Sequence, residues 1–236
     1  RAAAGTAAAY PDPLCRALAG AHAPADGVVP ARGLCGNGAG GRLFRLAFAL
    51  RPRHALVTAP TFSEYEGALA CIGCQVEHYF LREEQDFQVD DGFLQAITPE
   101  TDLVFLCTPN NPTGQLVEEQ LLLRAARRCQ AVEACLAVDE CFLSLSTGGP
   151  GLAPWLEQYP NLVLLRAFTK SYAMAGLRLG YALTANEPLL DAMARCGQPW
   201  SVSTPAQAAG VAALTQCPHW PAQGRAQVQH RRQNVL

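Results

Sequence analysis

Long basic runs and long apolar runs are both missing from the 236-residue sequence. No apolar stretch reaches the ~20 residues of a membrane-spanning helix, and the formal net charge is −2. We therefore expect neither a membrane nor nucleic acid as a partner. The first ten residues, RAAAGTAAAY, contain no methionine and lack the ordered regions of a signal peptide. We expect them to lie inside a longer chain.

A second Cys-x-x-Cys pair is also missing. Cys71 and Cys74 form a single such motif, whereas a zinc site requires another pair or histidines at ligand spacing. The sequence therefore predicts no metal. Several of the ten cysteines, such as Cys107, Cys135 and Cys141, lie in apolar runs. We expect mostly buried free thiols in such a long, core-rich chain, and a cytoplasmic protein.

The apolar residues, half of the chain, are grouped in short runs that alternate with longer helical stretches. Strands are predicted at Ala55–Ala59, Gln75–Phe80, Leu103–Cys107, Cys135–Val138, Leu162–Arg166 and Leu179–Thr184. Helices are predicted at Gly40–Leu50, Phe62–Ile72, Val117–Cys129, Pro188–Cys196 and Pro205–Thr215. This alternation predicts an α/β fold with a mostly parallel central sheet and helices on both faces.

Polar groups follow three of these strands and an aromatic residue, Phe62, follows a fourth, at the sheet edge where open α/β proteins bind ligands. Each has an ordinary structural explanation when taken alone. Asp139 suits a helix cap or an ion pair, Lys170 a surface loop, Arg178 a salt bridge, and the segment Asn111–Gly114 a plain turn. Together they fit a ligand with a basic ring nitrogen, a phenolic oxygen, an aldehyde and a phosphate. That ligand is pyridoxal 5′-phosphate.

The motifs NNPTG, DECF and FTKSYAMAGLRLGY occur in this order. They resemble the class I/II aminotransferase family of fold-type I pyridoxal-phosphate enzymes, from about Tyr10 to the end of the chain. The resemblance implies two catalytic residues. Lys170 would form an aldimine with the cofactor and move protons, while Asp139 would keep the pyridine nitrogen protonated.

The same resemblance implies the other cofactor contacts. Asn111 would hydrogen-bond the phenolic oxygen and Phe62 would stack on the ring. Thr169 and Arg178 would bind the phosphate. The family's enzymes are dimers, which implies a homodimer here.

A glycine-rich segment, Gly36–Gly41, spells G-x-G-x-x-G, which alone is weak evidence for a dinucleotide site. NAD would require an acidic residue at the end of the next strand, and that strand ends at Ala59. NAD would also leave the lysine and the aspartate unexplained. The resemblance instead assigns the phosphate to the backbone amides of Ala39 and Gly40, at the start of a helix.

Four positions depart from the family pattern. Gly40 and Gly41 replace a polar residue and a glutamate, and Ala167 replaces a frequent serine. Phe142 replaces a tyrosine that reaches the phenolic oxygen, a change familiar from threonine-phosphate decarboxylases. The changes predict a looser phosphate site that depends on backbone amides.

The chain is shorter than members of the family. We expect residues 1–222 to form the pyridoxal-phosphate-binding large domain, with the N-terminal arm missing. Residues 223–236 would begin a truncated C-terminal small domain. The arginine that binds the substrate carboxylate would then be absent, so the fragment is predicted to present most of a cofactor site without a complete substrate site.

The resemblance leaves the reaction open. The sequences of the motifs resemble an L-threonine-O-3-phosphate decarboxylase of cobalamin biosynthesis more than a histidinol-phosphate or other class I/II aminotransferase. The substrate would be a small amino acid or amino-phosphate. A truncated, inactive paralogue that only binds the cofactor is a further alternative. A cofactor-sensing domain fused to a DNA-binding domain is disfavoured, because no basic helix-turn-helix segment is present.

Overall fold

The computed structural model describes residues 8–233, in which strands and helices alternate along the chain. The strands are β1 (Gly33–Asn37), β2 (His54–Ala59), β3 (Gln75–Phe80), β4 (Leu103–Cys107), β5 (Cys135–Asp139), β6 (Leu162–Ala167) and β7 (Leu179–Leu183). The helices are α1 (Arg16–Asp26), α2 (Gly38–Leu50), α3 (Glu64–Ala70), α4 (Gly92–Ala96), α5 (Glu119–Ala131), α6 (Phe168–Ser171), α7 (Glu187–Arg195), α8 (Thr204–Gln216) and α9 (Trp220–Gln233).

The seven strands form one sheet in the order β1-β7-β6-β5-β4-β2-β3. Strands β2 to β6 pair in parallel, whereas β7 runs antiparallel to both β1 and β6. Every residue of β4, β5 and β7 is buried, as expected for strands covered on both faces. The predicted α/β fold with a mostly parallel sheet is confirmed. Its parallel strands bring the ends of β2, β4, β5 and β6 to one edge.

Apolar layers cover the two faces of the sheet. On one face, Leu46 of α2 and Leu69 of α3 are fully buried over the sheet. On the other face, Leu122 of α5 and Ala206 of α8 belong to the second layer. Burying each leucine side chain contributes ~1.5–3 kcal/mol, so these layers hold the strand ends in place.

Five elements are absent from the sequence-based prediction, namely β1, the helices α1, α4 and α9, and the helical turn α6. β1 contains two glycines and an asparagine, residues that disfavour strands, and its pairing with β7 overrides that preference. α1 contains Pro24, and α9 has no buried residue and no apolar stripe. α9 also runs across the predicted domain boundary between residues 222 and 223, which stays a prediction. The outermost ends of both predicted domains, residues 1–7 and 234–236, lie outside the described residues.

The ten cysteines, all of which lie within the described part of the chain, are unpaired. Cys107 and Cys135 are buried, as expected, while Cys141 is half-buried and Cys71 is exposed. Between residues 8 and 233, no helix has both the length and the apolar character needed to cross a bilayer.

Candidate active site

A cavity of about 190 Å³ lies where the ends of β4, β5 and β6 meet the start of α2. All eight residues that the sequence analysis assigned to the cofactor line it. The full lining is Ala39, Gly40, Phe62, Cys107, Asn111, Asp139, Cys141, Phe142, Ala167, Thr169, Lys170, Ala175 and Arg178. Residues from six segments of the chain therefore converge on one cavity.

Asp139 is the last residue of β5 and is 7% exposed. Its Oδ2 accepts a hydrogen bond from the Tyr65 hydroxyl (2.9 Å), and its Oδ1 accepts one from the backbone amide of Cys141 (2.9 Å). These two bonds fix the orientation of the carboxylate. Because a buried carboxylate is costly without a cationic partner, its position at the cavity wall suits a protonated ring nitrogen.

Tyr65 is a site residue that the sequence analysis missed. It is fully buried on α3 and stacks on Phe105, with ring centroids 4.8 Å apart. Burial and the adjacent charge of Asp139 raise the pKa of Tyr65 well above its ordinary value, so the hydroxyl stays a donor. Burial likewise raises the pKa of the Cys107 thiol to about 12. The sequence predicts only that a tyrosine on an apolar helix face is part of the core. The structure is needed to identify Asp139 as the partner of its hydroxyl.

Lys170 lies in the single helical turn α6 rather than in the loop that the sequence suggested. The turn is closed by the amides of Tyr172 and Met174, which both donate to the carbonyl of Phe168. The ammonium Nζ of Lys170 lies 5.1 Å from the centroid of the Phe142 ring, within the range of a cation–π contact. Lys170 is the one lysine among the 236 residues.

The start of α2 forms one end of the cavity. The helix begins at Gly38, two residues earlier than predicted, which places Ala39 and Gly40 in its first turn. Amides in a first turn have no partner within the helix, and the positive end of the helix dipole favours an anion there. Gly38 has φ +72°, and a Cβ there would lie 2.7 Å from Nη2 of Arg178. Glycine therefore allows the guanidinium to approach the helix start.

Asn110, a second residue that the sequence analysis missed, joins the loops after β2 and β4. Its Nδ2 donates to the carbonyl of Pro60 (2.9 Å), and its Oδ1 accepts from the hydroxyl of Thr61 (2.7 Å). The loop after β2 carries Phe62 and the loop after β4 carries Asn111. The hydrogen bonds of Asn110 hold both residues at the cavity.

Three of the four departures from the family pattern line the same cavity. A Cβ at Gly40 would meet no atom within 4 Å, so glycine is not required there for lack of space. Ala167 and Phe142 line the cavity without a polar atom in their side chains. Gly40, Phe142 and Ala167 therefore offer no polar side-chain atom to the cavity.

The remaining groups fit pyridoxal phosphate. The cavity wall offers a carboxylate, an amine, an amide, a guanidinium and free helix amides, and these match the ring nitrogen, aldehyde, phenolic oxygen and phosphate of that cofactor. The fold and this set of groups define a fold-type I pyridoxal-phosphate enzyme.

Comparison with known proteins identifies the family. The family described as aminotransferase class I and II matches residues 14–236, and the chain belongs to this family, whose enzymes depend on pyridoxal phosphate. The threonine-phosphate decarboxylase of Salmonella typhimurium is 41% identical over 210 residues, which cover 87% of this chain and 56% of that protein. The histidinol-phosphate aminotransferase of Methanococcoides burtonii is 36% identical over 165 residues, covering 70% of this chain and 44% of the other.

A solved structure agrees on the fold. The histidinol-phosphate aminotransferase from Clostridium acetobutylicum superposes with a TM-score of 0.89 and 22% identity, over 98% of this chain and 68% of that one. The chain thus spans about half the length of the curated relatives that it matches.

Proposed function

We propose that the protein binds pyridoxal 5′-phosphate through Lys170 and acts on a small amino acid or amino-phosphate. The observation that carries the proposal is the convergence of Lys170, Asp139, Asn111 and Arg178 on one cavity at the start of α2. We further propose decarboxylation of L-threonine-O-3-phosphate as the reaction. It is supported by the 41% identity to a threonine-phosphate decarboxylase over 87% of the chain.

Pyridoxal phosphate supplies an electron-poor ring that takes up the electron pair released when a bond at the substrate Cα breaks. The carboxylate of Asp139 holds a proton at the ring nitrogen, and its bonds to Tyr65 and Cys141 keep it directed there. The Nζ of Lys170 anchors the cofactor and gives and takes protons at Cα.

The phosphate end of the site only binds and orients. The amides of Ala39 and Gly40 and the guanidinium of Arg178 neutralise the phosphate charge. Phe62 lies at the cavity wall as a stacking surface, and Asn111 offers an amide to the phenolic oxygen. These residues would orient the cofactor relative to Lys170.

A histidinol-phosphate aminotransferase is the second candidate, supported by relatives at 36% identity and above. The two reactions differ in the bond broken at Cα, which is the bond to the carboxylate in the decarboxylase and the bond to hydrogen in the aminotransferase. A cofactor-binding paralogue without activity is the third candidate, because Gly40 and Ala167 lack the polar side chains expected there.

The test uses the full-length protein with the cofactor and L-threonine-O-3-phosphate. We expect release of carbon dioxide and formation of an aminopropanol phosphate. If histidinol phosphate and 2-oxoglutarate instead give glutamate and the ketone derived from histidinol phosphate, the aminotransferase replaces the decarboxylase proposal. Cofactor binding with neither product would favour the inactive paralogue.

We also propose that residues 1–222 act as the cofactor-binding large domain, that residues 223–236 begin the small domain, and that the protein is a cytoplasmic homodimer. The family resemblance supports the domain division and the dimer. Limited proteolysis would test the domain division, since cleavage is expected near residue 222. Sedimentation of the full-length protein would test the dimer.

A further inference from the structure

A buried ion network lies beside the cofactor cavity and is not part of its wall. Its centre is Arg166 on β6, four residues before Lys170. The guanidinium binds Glu140 through Nε (2.8 Å) and Nη2 (2.7 Å), and it also binds Asp26 and the carbonyl of Pro150. The side chains of Glu140 and Asp26 are 0% and 5% exposed. The network therefore joins three charges inside the protein.

On one side, the network holds the end of β5. Glu140 follows Asp139 directly, and its amide donates to the carbonyl of Leu165 on β6 (2.9 Å). Its Oε1 accepts the amide of Leu152 (2.8 Å). Gly151, with φ +76°, allows this contact, because a Cβ there would lie 2.5 Å from Oε1. Both carboxylate oxygens of Glu140 are thus bound, and these bonds hold the segment after Asp139 in place.

On the other side, the network reaches α1 and β7. Asp26, the last residue of α1, accepts from the hydroxyl of Tyr181 on Oδ1 (3.2 Å) and contacts Nδ1 of His22 through Oδ2 (3.2 Å). The ring of Tyr181 stacks on His22, with centroids 4.4 Å apart, and lies 5.8 Å from Phe168 in α6. The helical turn that carries Lys170 is therefore packed against the network.

The pKa values of Asp26 and Arg166 favour the charged form of each. Burial opposes the charge on Asp26, but the hydrogen bond from His22 and the charge of Arg166 outweigh it and lower the pKa of Asp26. Burial also opposes the charge on Arg166, yet the charge of Glu140 raises the pKa of Arg166 above its ordinary value. Buried ion networks are poor evidence for stability, since apolar residues often replace them without loss. What they provide is fixed, directional geometry.

We propose that Arg166, Glu140 and Asp26 are positioning residues that fix Asp139 and Lys170 relative to each other. Arg166 lies on β6, four residues before Lys170, and Glu140 directly follows Asp139, the last residue of β5. One guanidinium therefore sets the spacing of the two groups that face opposite ends of the cofactor. The significance of that spacing rests on the proposed function.

The test reads Lys170 directly, without the cofactor. In full-length protein with ¹³C-labelled lysine side chains, the Lys170 signal is assigned by its loss in Lys170→Arg. We expect it to be displaced from the position of free lysine, because Nζ lies 5.1 Å from the Phe142 ring. Glu140→Gln keeps the size of the side chain, and Arg166→Lys keeps the charge. Each is expected to move the signal towards free lysine and to weaken cofactor binding about tenfold.

The matched control is Arg32→Gln. Arg32 also bridges two carboxylates, Glu157 (2.8 Å) and Glu187 (2.7 Å), but at the far end of β7. We expect it to lower the thermal midpoint without moving the lysine signal or the cofactor affinity.

The proposal is overturned if Glu140→Gln and Arg166→Lys lower only the thermal midpoint and leave both the lysine signal and the affinity at wild-type values. Should one variant not fold, the other decides. If wild-type protein does not bind the cofactor, the proposed function fails, while the lysine signal still decides the positioning role.

Discussion

The two ends of the cofactor cavity are built in different ways. Around Asp139, buried side chains make hydrogen bonds to one another, and each oxygen of the carboxylate has a partner. At the start of α2, the groups are backbone amides, and within residues 8–233 the guanidinium of Arg178 donates a hydrogen bond to the carbonyl of Ala175 (3.2 Å). The proposed ring-nitrogen end is thus held by partners within the protein, whereas the side chain at the proposed phosphate end has fewer such partners. Replacements at the first end should therefore cost more than replacements at the second.

Asp139→Asn should have the largest effect. The amide cannot hold a proton at the ring nitrogen, so kcat of the full-length enzyme should fall ~10²–10⁴-fold while the cofactor still binds. Steady-state kinetics beside a cofactor titration would check this. Wild-type turnover in Asp139→Asn would show that the carboxylate has no role in the chemistry.

Tyr65→Phe tests the Asp139 end of the cavity a second time. It removes the donor to Oδ2 of Asp139 and leaves a buried carboxylate oxygen without this partner, which should cost about 1–3 kcal/mol of unfolding free energy. Denaturant unfolding would measure it. The control is Tyr79→Phe, which removes a hydroxyl bound to Asp90, away from the cavity. We expect Tyr65→Phe, but not Tyr79→Phe, to weaken cofactor binding, because only Tyr65 orients Asp139. Equal effects of the two variants on cofactor affinity would refute this role of Tyr65.

The pH dependence of stability should report the ion network. The pKa of Asp26 is lowered in the folded protein, so its contribution is present above the ordinary carboxyl pKa of ~3.9 and is lost as the pH falls through the lowered value. In thermal unfolding measured between the lowered and the ordinary pKa, the thermal midpoint of the wild-type protein should fall with decreasing pH more steeply than that of Asp26→Asn. Parallel acid profiles for the two proteins would contradict this.

Gly40→Ser should have the smallest effect and should act in the opposite direction. The position is open, so serine restores a hydroxyl near the phosphate and strengthens cofactor binding several-fold. Gly40→Ala is the matched control, since it favours the helix at least as much as serine does, by about 1 kcal/mol over glycine, without adding a hydroxyl. If alanine strengthens binding as much as serine, the gain comes from the helix and not from a phosphate contact.

Much of the fold is visible in the sequence, because buried strands are short apolar runs. The predicted bounds of β3 and β4 match the structure, and all eight predicted site residues line one cavity. The sequence does not reveal β1, whose glycines are accommodated by pairing with β7. It also does not reveal the partners of Asp139 and Arg166. Tyr65 lies 74 residues from Asp139, and Asp26 lies 140 residues from Arg166, so only tertiary structure brings them together.

Covalent labelling tests the central claim most directly. The full-length protein is incubated with pyridoxal 5′-phosphate, reduced with borohydride, digested and analysed by mass spectrometry. The account predicts one stable adduct, on the peptide that contains Lys170, and its disappearance in Lys170→Arg. No adduct on that peptide, or an adduct that persists in Lys170→Arg, would contradict it.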